Sequence, residues 1–282
     1  VKETIFNDTA MRFLTNSILF IFLLMAACQT VPVTGRRQLS LIPQAELLSM
    51  SATQYNQFLQ QNRLSTNAQA TATVKRVGER IKESVEKYMA EMNMSDRLNG
   101  FNWEFNLVES EQVNAWCMPG GKVVIYTGIL PVCKDENGLA VVMGHEIAHA
   151  IAGHGDERMS QSVLAMVGQV GLAVALRNKP RETQTAWMAA YGIGTQVGIL
   201  LPFSRKQESE ADEIGLMFSA YAGYNPQEAP QFWERMAATN RNAPPEFLST
   251  HPSSQTRINH LNSLIPKAME FYNKSPYKGN AR

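Results

Sequence analysis

His145-Glu146-Ile147-Ala148-His149 is the stretch from which the rest of the chain is best read. An α-helix repeats every 3.6 residues, so the i, i+4 spacing sets both imidazoles on one face, where they can share a divalent ion at about 2.0–2.1 Å. Glu146 then lies beside that ion, placed to take a proton from water. Helix is expected here on separate grounds as well. Asp135 or Asn137 can cap a run from Gly138 to Ala152, and Gly153 and Gly155 can close it. Val141, Val142, Met143, Ile147, Ala148, Ala150 and Ile151 make the run apolar almost all round, so it should be buried. Buried imidazole and carboxylate groups need partners, and a metal supplies one. The bland alternative is a surface helix with coincidental histidines.

A catalytic zinc centre takes three protein donors and leaves one position for water. His154 is one candidate for the third donor, but a site drawing all its ligands from one extended motif needs a histidine six residues beyond His149, and position 155 is Gly. Glu208 is the better candidate. In Glu208-Ser209-Glu210-Ala211-Asp212 the first and last acids are again i, i+4 neighbours. Glu208 can ligate the metal while Asp212 accepts a hydrogen bond from a ligand imidazole and fixes its tautomer. Taken alone, these acids beside Arg205 and Lys206 read as a solvated helix face. Glu210 points elsewhere on the helix and is expected to be ordinary.

With these residues in place, the chain resembles the HtpX-like zinc metallopeptidases, metallopeptidase family forty-eight, whose relatives include the CaaX prenyl proteases. The match rests on His145 to His149, on Glu208 and Asp212, on Asn114-Ala115-Trp116-Cys117-Met118-Pro119-Gly120-Gly121, and on Thr250-His251-Pro252 with Arg257. It implies one Zn²⁺ held by His145, His149 and Glu208, with water deprotonated by Glu146 attacking a peptide carbonyl. His251 is the candidate to stabilise the oxyanion, and Arg257 a weaker one. In related proteins the histidine at this His-Pro position approaches and occludes the metal, which makes His251 a candidate gate; alternatively Thr250-His251-Pro252 simply starts the next helix. His260 has no motif around it and reads as structural.

The remaining chain is expected to build a mostly helical α+β, zincin-like domain over residues 44–282, with a small antiparallel sheet. Helical apolar spacing marks 43–62 and 68–93, and alternation at Phe101, Trp103, Phe105 and Leu107 followed by Lys122 to Thr127 marks two or three short strands. The strand near Asn114-Ala115-Trp116 either offers an exposed edge to an extended peptide or lies inside the sheet. The apolar stretches 160–176 and 185–201, interrupted by Gln169 and Gln196, are expected to pack beside the site rather than to span a membrane. Helices at 205–221, 227–239 and from Ser253 complete the chain.

Composition narrows the partners. With 282 residues, 44% of them hydrophobic and 18% charged, and a net charge of +1, the chain can bury a substantial core and carries no basic stripe for nucleic acid. The N-terminus speaks of location. Met11-Arg12, the apolar run from Ser17 to Ala27 and then Cys28 read as a signal peptide over 1–27, too short to span a bilayer. Ala26-Ala27-Cys28 resembles a bacterial lipobox, with Met25 a mild departure. The resemblance implies a lipid on Cys28, a tether over 28–43, and a periplasmic enzyme anchored, given Gln29, in the outer membrane. Misfolded, envelope or outer-membrane polypeptides are then the expected substrates in protein quality control. The competing class is a zinc-stabilised chaperone or assembly factor with latent protease activity. Cys117 and Cys133 either bridge in an oxidising compartment or stay two separate buried thiols.

Overall fold

The computed structural model describes residues 28–239, 245–252 and 255–281. The signal-peptide reading of residues 1–27 and the helix start at Ser253 fall outside them. The segment expected to be an extended tether is folded. Strands β1 (Cys28–Thr30) and β2 (Arg37–Leu39) pair antiparallel, and Val31 between them is buried in the main core. Gln38 donates to the Ala152 carbonyl and the Leu41 N–H to Ser160, so residues 28–41 belong to the domain. A Pro- and Gly-containing stretch looks like a tether because its partners are remote in sequence.

Helices α1 (Gln44–Gln61) and α2 (Ala68–Glu91) form where the apolar spacing places them. Asn67 caps α2 by accepting from the Ala70 N–H at 3.0 Å, and Val74, Val77, Ile81, Val85 and Met89 form its buried face. Strands β3 (Glu104–Val108), β4 (Ala115–Met118) and β5 (Lys122–Tyr126) lie in the order β3-β5-β4. The turn between β4 and β5 needs Gly120 and Gly121, both at positive φ. It returns β5 between its two neighbours, antiparallel to β4 and parallel to β3. The sheet is therefore mixed where an antiparallel one was expected, because alternation marks a strand without saying which strand lies beside it. Central β5 is buried throughout, and β4 remains an edge.

Helix α3 (Glu136–Ala152) carries the HExxH run. Asp135 caps it through the N–H groups of Asn137 and Gly138, and Gly153, left-handed at φ 72°, ends it. Gly155 does not close α3, since the chain re-enters helix at once in α4 (His154–Leu176). Helix α5 (Arg181–Thr195) then runs through one π-helical turn, Gln196–Leu200, into α6 (Leu201–Tyr221). Helices α3 and α6 cross with their backbones almost touching. A Cβ on Gly144 would stand 2.2 Å from Ser219 Oγ and 2.8 Å from the Gly215 carbonyl oxygen, and one on Gly215 would stand 2.8 Å from Gly144. Helices α7 (Glu228–Ala238) and α8 (Gln255–Lys274) close the core through Phe232, Trp233, Ile258 and Leu261.

The apolar stretches 160–176 and 185–201 do not pack beside the site as expected. Only the first turns of α4 are buried, at His154, Asp156, Glu157 and Ser160, and none of the described side chains from 161 to 206 is. Helices α4 and α5 pair with each other and project. Cys117 and Cys133 are not bridged; burial raises the pKa of both thiols.

Candidate metal centre

The close crossing of α3 and α6 fixes the site, because it brings His145 and His149 against Glu208. His145 Nε2 and His149 Nε2 are 3.2 Å apart, and Glu208 oxygens lie 3.4 Å from the first and 3.3 Å from the second. His251, reached after the short helix Glu246–Thr250, brings its Nδ1 to 3.2 Å from His145 Nε2 and 3.0 Å from Glu208. These four donors all lie within 4.8 Å of one another. A tetrahedral ion with bonds of about 2.0–2.1 Å has donors roughly 3.3–3.4 Å apart. The observed spacing and the His-His-His-carboxylate chemistry fit such an ion.

Tautomers are set from behind. Asp212 Oδ1 lies 3.1 Å from His145 Nδ1, and Arg257 holds Asp212 with two bonds of 2.7 Å. With the proton on Nδ1 facing Asp212, the His145 Nε2 lone pair faces the other donors. His149 is served by residues that the sequence reading set aside. His154 Nδ1 lies 2.8 Å from His149 Nδ1, and His154 Nε2 lies 3.0 Å from Glu210 Oε2. If His154 donates to the carboxylate, its bare Nδ1 accepts from His149 and leaves His149 Nε2 free to ligate. Thus His154 is not a ligand but a support, and Glu210, expected to be ordinary, is buried behind it.

Glu210 is itself held by Thr34 and by Arg36, whose guanidinium also grips Glu157 with bonds of 2.7 and 2.8 Å. Gln207 donates to Glu157 at 2.7 Å. The run His149, His154, Glu210, Arg36, Glu157 therefore ties the metal centre to the N-terminal hairpin. Its one sequence signal was the i, i+2 pair Glu208 and Glu210, two positions that a single helix face cannot share. The start of α4 and the loop between β1 and β2 were needed to give Glu210 a role.

Electrostatics follow from burial and these partners. Burial pulls the His145 pKa down, but Asp212 and Glu208 outweigh it and raise it to about 9. Burial lowers His149. Glu208 is held far below the usual carboxylate range, since the surrounding imidazoles overcome its burial, and Glu210 is lowered to about 2 as His154, Thr34 and Arg36 overcome the same cost. Glu146 moves the other way, because burial is its dominant influence and raises its pKa. Its Oε1 is buried without a hydrogen bond among the described residues, 3.4 Å from His251 Nε2. Such a carboxylate is poised to take a proton.

Arg257, considered for the oxyanion, bonds to Asp212 and to the Pro252 carbonyl at 2.9 Å, lies over the face of Trp233, and brings its Nη1 to 3.2 Å from Glu208 Oε2. It anchors the segment that carries His251. His260 is half-buried and takes no part. A cleft of about 220 Å³ opens beside His149, walled by Leu47, Leu48, Met118 and Pro119, with edge strand β4 along it.

Two helices delivering two histidines and a glutamate to one point, with a free buried carboxylate beside it, define a metallohydrolase of the HExxH class. Residues 75–265 match peptidase family M48, and the chain belongs to that family. It is 39% identical over 186 residues to the mitochondrial metalloendopeptidase OMA1 of Saccharomyces cerevisiae, covering 63% of this chain and 51% of that one. It is 29% identical over 282 residues to the human mitochondrial metalloendopeptidase OMA1, covering 96% and 52%. The beta-barrel assembly-enhancing protease of Escherichia coli matches at 29% over 178 residues, covering 60% and 36%. The chain spans about half the length of the OMA1 relatives. Kinship to HtpX and the CaaX proteases is thereby carried only to the level of the shared family. The placing in a bacterial outer membrane is overturned: relatives in two yeasts, human and Arabidopsis thaliana are named as mitochondrial proteins. The lipobox resemblance rested on a few small residues before one cysteine, a pattern of little specificity.

Proposed function

We propose that this chain is a zinc-dependent endopeptidase that acts on unfolded polypeptides and is held latent by His251. The observation that carries it is the place of His251 Nδ1, 3.2 Å from His145 Nε2 and 3.0 Å from Glu208, where a catalytic centre keeps its open position. His145, His149 and Glu208 would hold the zinc, which when bound would supply a Lewis acid to polarise the scissile carbonyl and acidify a water. Glu146 accepts the water's proton and returns it to the leaving amine. Asp212 and His154 hold the two imidazoles in the ligating tautomer. Edge strand β4 can take an extended substrate by backbone pairing, which favours unfolded chains over a particular sequence. Once swung out, His251 would offer an imidazole N–H to the developing oxyanion.

The same four-donor closure favours a second reading, a structural zinc in a chaperone or assembly factor whose protease activity is latent, since structural sites are closed. One experiment separates them. Wild type, Glu146→Gln and His251→Ala are compared for zinc content and cleavage of casein. The endopeptidase reading expects His251→Ala to cleave faster than wild type, and Glu146→Gln to keep its zinc and lose cleavage by at least about 100-fold. Full zinc with no cleavage by any variant would favour the chaperone.

A further inference from the structure

Beyond the first turns of α4 the projecting hairpin has no role in the site, yet its surface is unlike the rest of the molecule. Met166, Val167, Val170, Trp187, Ile193 and Val197 are each between 55% and 66% exposed. Soluble surfaces seldom expose so many large apolar side chains on two neighbouring helices. The charges are arranged with equal regularity. No Asp, Glu, Lys or Arg occurs from Met159 to Leu176 or from Thr183 to Ser204. Arg177, Lys179 and Arg181 gather at the tip, accompanied by Glu182, and Arg158, Arg205 and Lys206 mark the base, all of them exposed. At about 1.5 Å per residue the charge-free part of α4 is roughly 27 Å long, close to the ~30 Å of a bilayer's hydrocarbon.

Several polar side chains within this length bond to carbonyls of the hairpin itself. Tyr191 of α5 donates across the hairpin to the Ala165 carbonyl at 2.9 Å, over Gly168, where a Cβ would strike its hydroxyl. Ser162 and Thr185 donate to carbonyls four residues back on their own helices, both at 2.9 Å. Such bonds suit surroundings that offer no water. Ser162, Gln169, Thr185 and Gln196 are exposed among these polar residues.

We propose that the α4–α5 hairpin inserts into a lipid bilayer, its apolar flanks in the acyl chains and its two cationic ends at anionic headgroups. The insertion does not depend on the peptidase reading. If both hold, substrate selection follows, because Glu208 stands three residues beyond Arg205, about one helical turn from the headgroups. Polypeptide segments emerging from the membrane would then be the preferred substrates.

The test uses the full chain and vesicles of phosphatidylcholine containing phosphatidylglycerol, with and without brominated acyl chains. Sedimentation with vesicles alone does not decide, because the apolar run at 17–27 could also attach the chain. Trp187 emission reads the hairpin itself, as the difference between wild type and Trp187→Phe. The expected result is a blue shift and loss of most of the Trp187 emission on brominated vesicles. Val167→Glu with Val170→Glu should abolish that loss while leaving far-UV circular dichroism and casein cleavage in vesicle-free buffer unchanged, since both side chains are exposed. Trp187 emission indifferent to brominated lipid would overturn insertion. So would a blue shift that grows with protein concentration without vesicles, which would mean that a second copy covers the hairpin.

Discussion

Helix α3 and the α4–α5 hairpin are built from similar residues and end in opposite places. Both are apolar and glycine-containing, yet α3 is buried along nearly its whole length while the hairpin hides nothing beyond its first turns. The difference lies in where glycine sits. Gly144 meets Gly215 across the α3–α6 crossing, and that contact lets two histidines and a glutamate converge. Gly171, Gly192 and Gly194 face open space. Apolarity by itself brings a helix out of water; a matching partner determines whether it enters the protein core. Among the described residues, the projecting part of the hairpin pairs with its other arm, and outward surface is left over.

The contrast can be broken at its strongest point by Gly144→Val. The branched side chain would collide with Ser219 and the Gly215 backbone, and a loss of about 3 kcal/mol in denaturant unfolding, with weakened metal binding, is expected. A variant as stable as wild type would show that the crossing is not tight. A smaller effect separates support from packing. His154→Leu keeps the volume behind His149 but removes its acceptor, so zinc affinity by chelator competition should fall roughly 10- to 100-fold, with a stability loss of about 1–3 kcal/mol because His149 and Glu210 each lose a buried partner. If affinity is unchanged, the run from His149 to Arg36 serves structure alone.

Acid sharpens the same point. In the metal-free protein the His145 pKa is raised to about 9, and that proton must leave before the metal can bind. Below that pH, the apparent zinc affinity should fall about tenfold per pH unit, and above it the dependence should flatten; a flat titration from pH 6 to 9 would contradict the raised value. The smallest effect is expected in the hairpin. Gly192→Ala meets nothing within 4 Å. It should slow amide exchange in α5 by the equivalent of about 0.5–1 kcal/mol, the gain from replacing an exposed helical glycine.

The two histidines, Glu146 and the Glu208–Asp212 pair were legible because helical periodicity is local: residues four apart on one helix share a face whatever surrounds them. The cap at Asp135 and the alternation of the short strands were readable for the same reason. His154 and Glu210 were not, since their use depends on α4, α6 and the N-terminal hairpin meeting at one point. Arg36 sits 121 residues from Glu157 and 174 from Glu210. No window of sequence contains those pairs.

Sequence by itself determined the chemistry available, namely which donors could share a metal, which carboxylate stands beside them and which helices form. The tertiary structure decided how that chemistry is arranged. It set β3 parallel to β5, turned a supposed tether into a wall of the site, and seated His251 in the fourth donor position. It also left one apolar hairpin exposed among the described residues. The physical reason is range: backbone periodicity and capping act over about one helical turn, whereas packing, register and buried ion pairs join residues whose order along the chain carries no record of their distance in space.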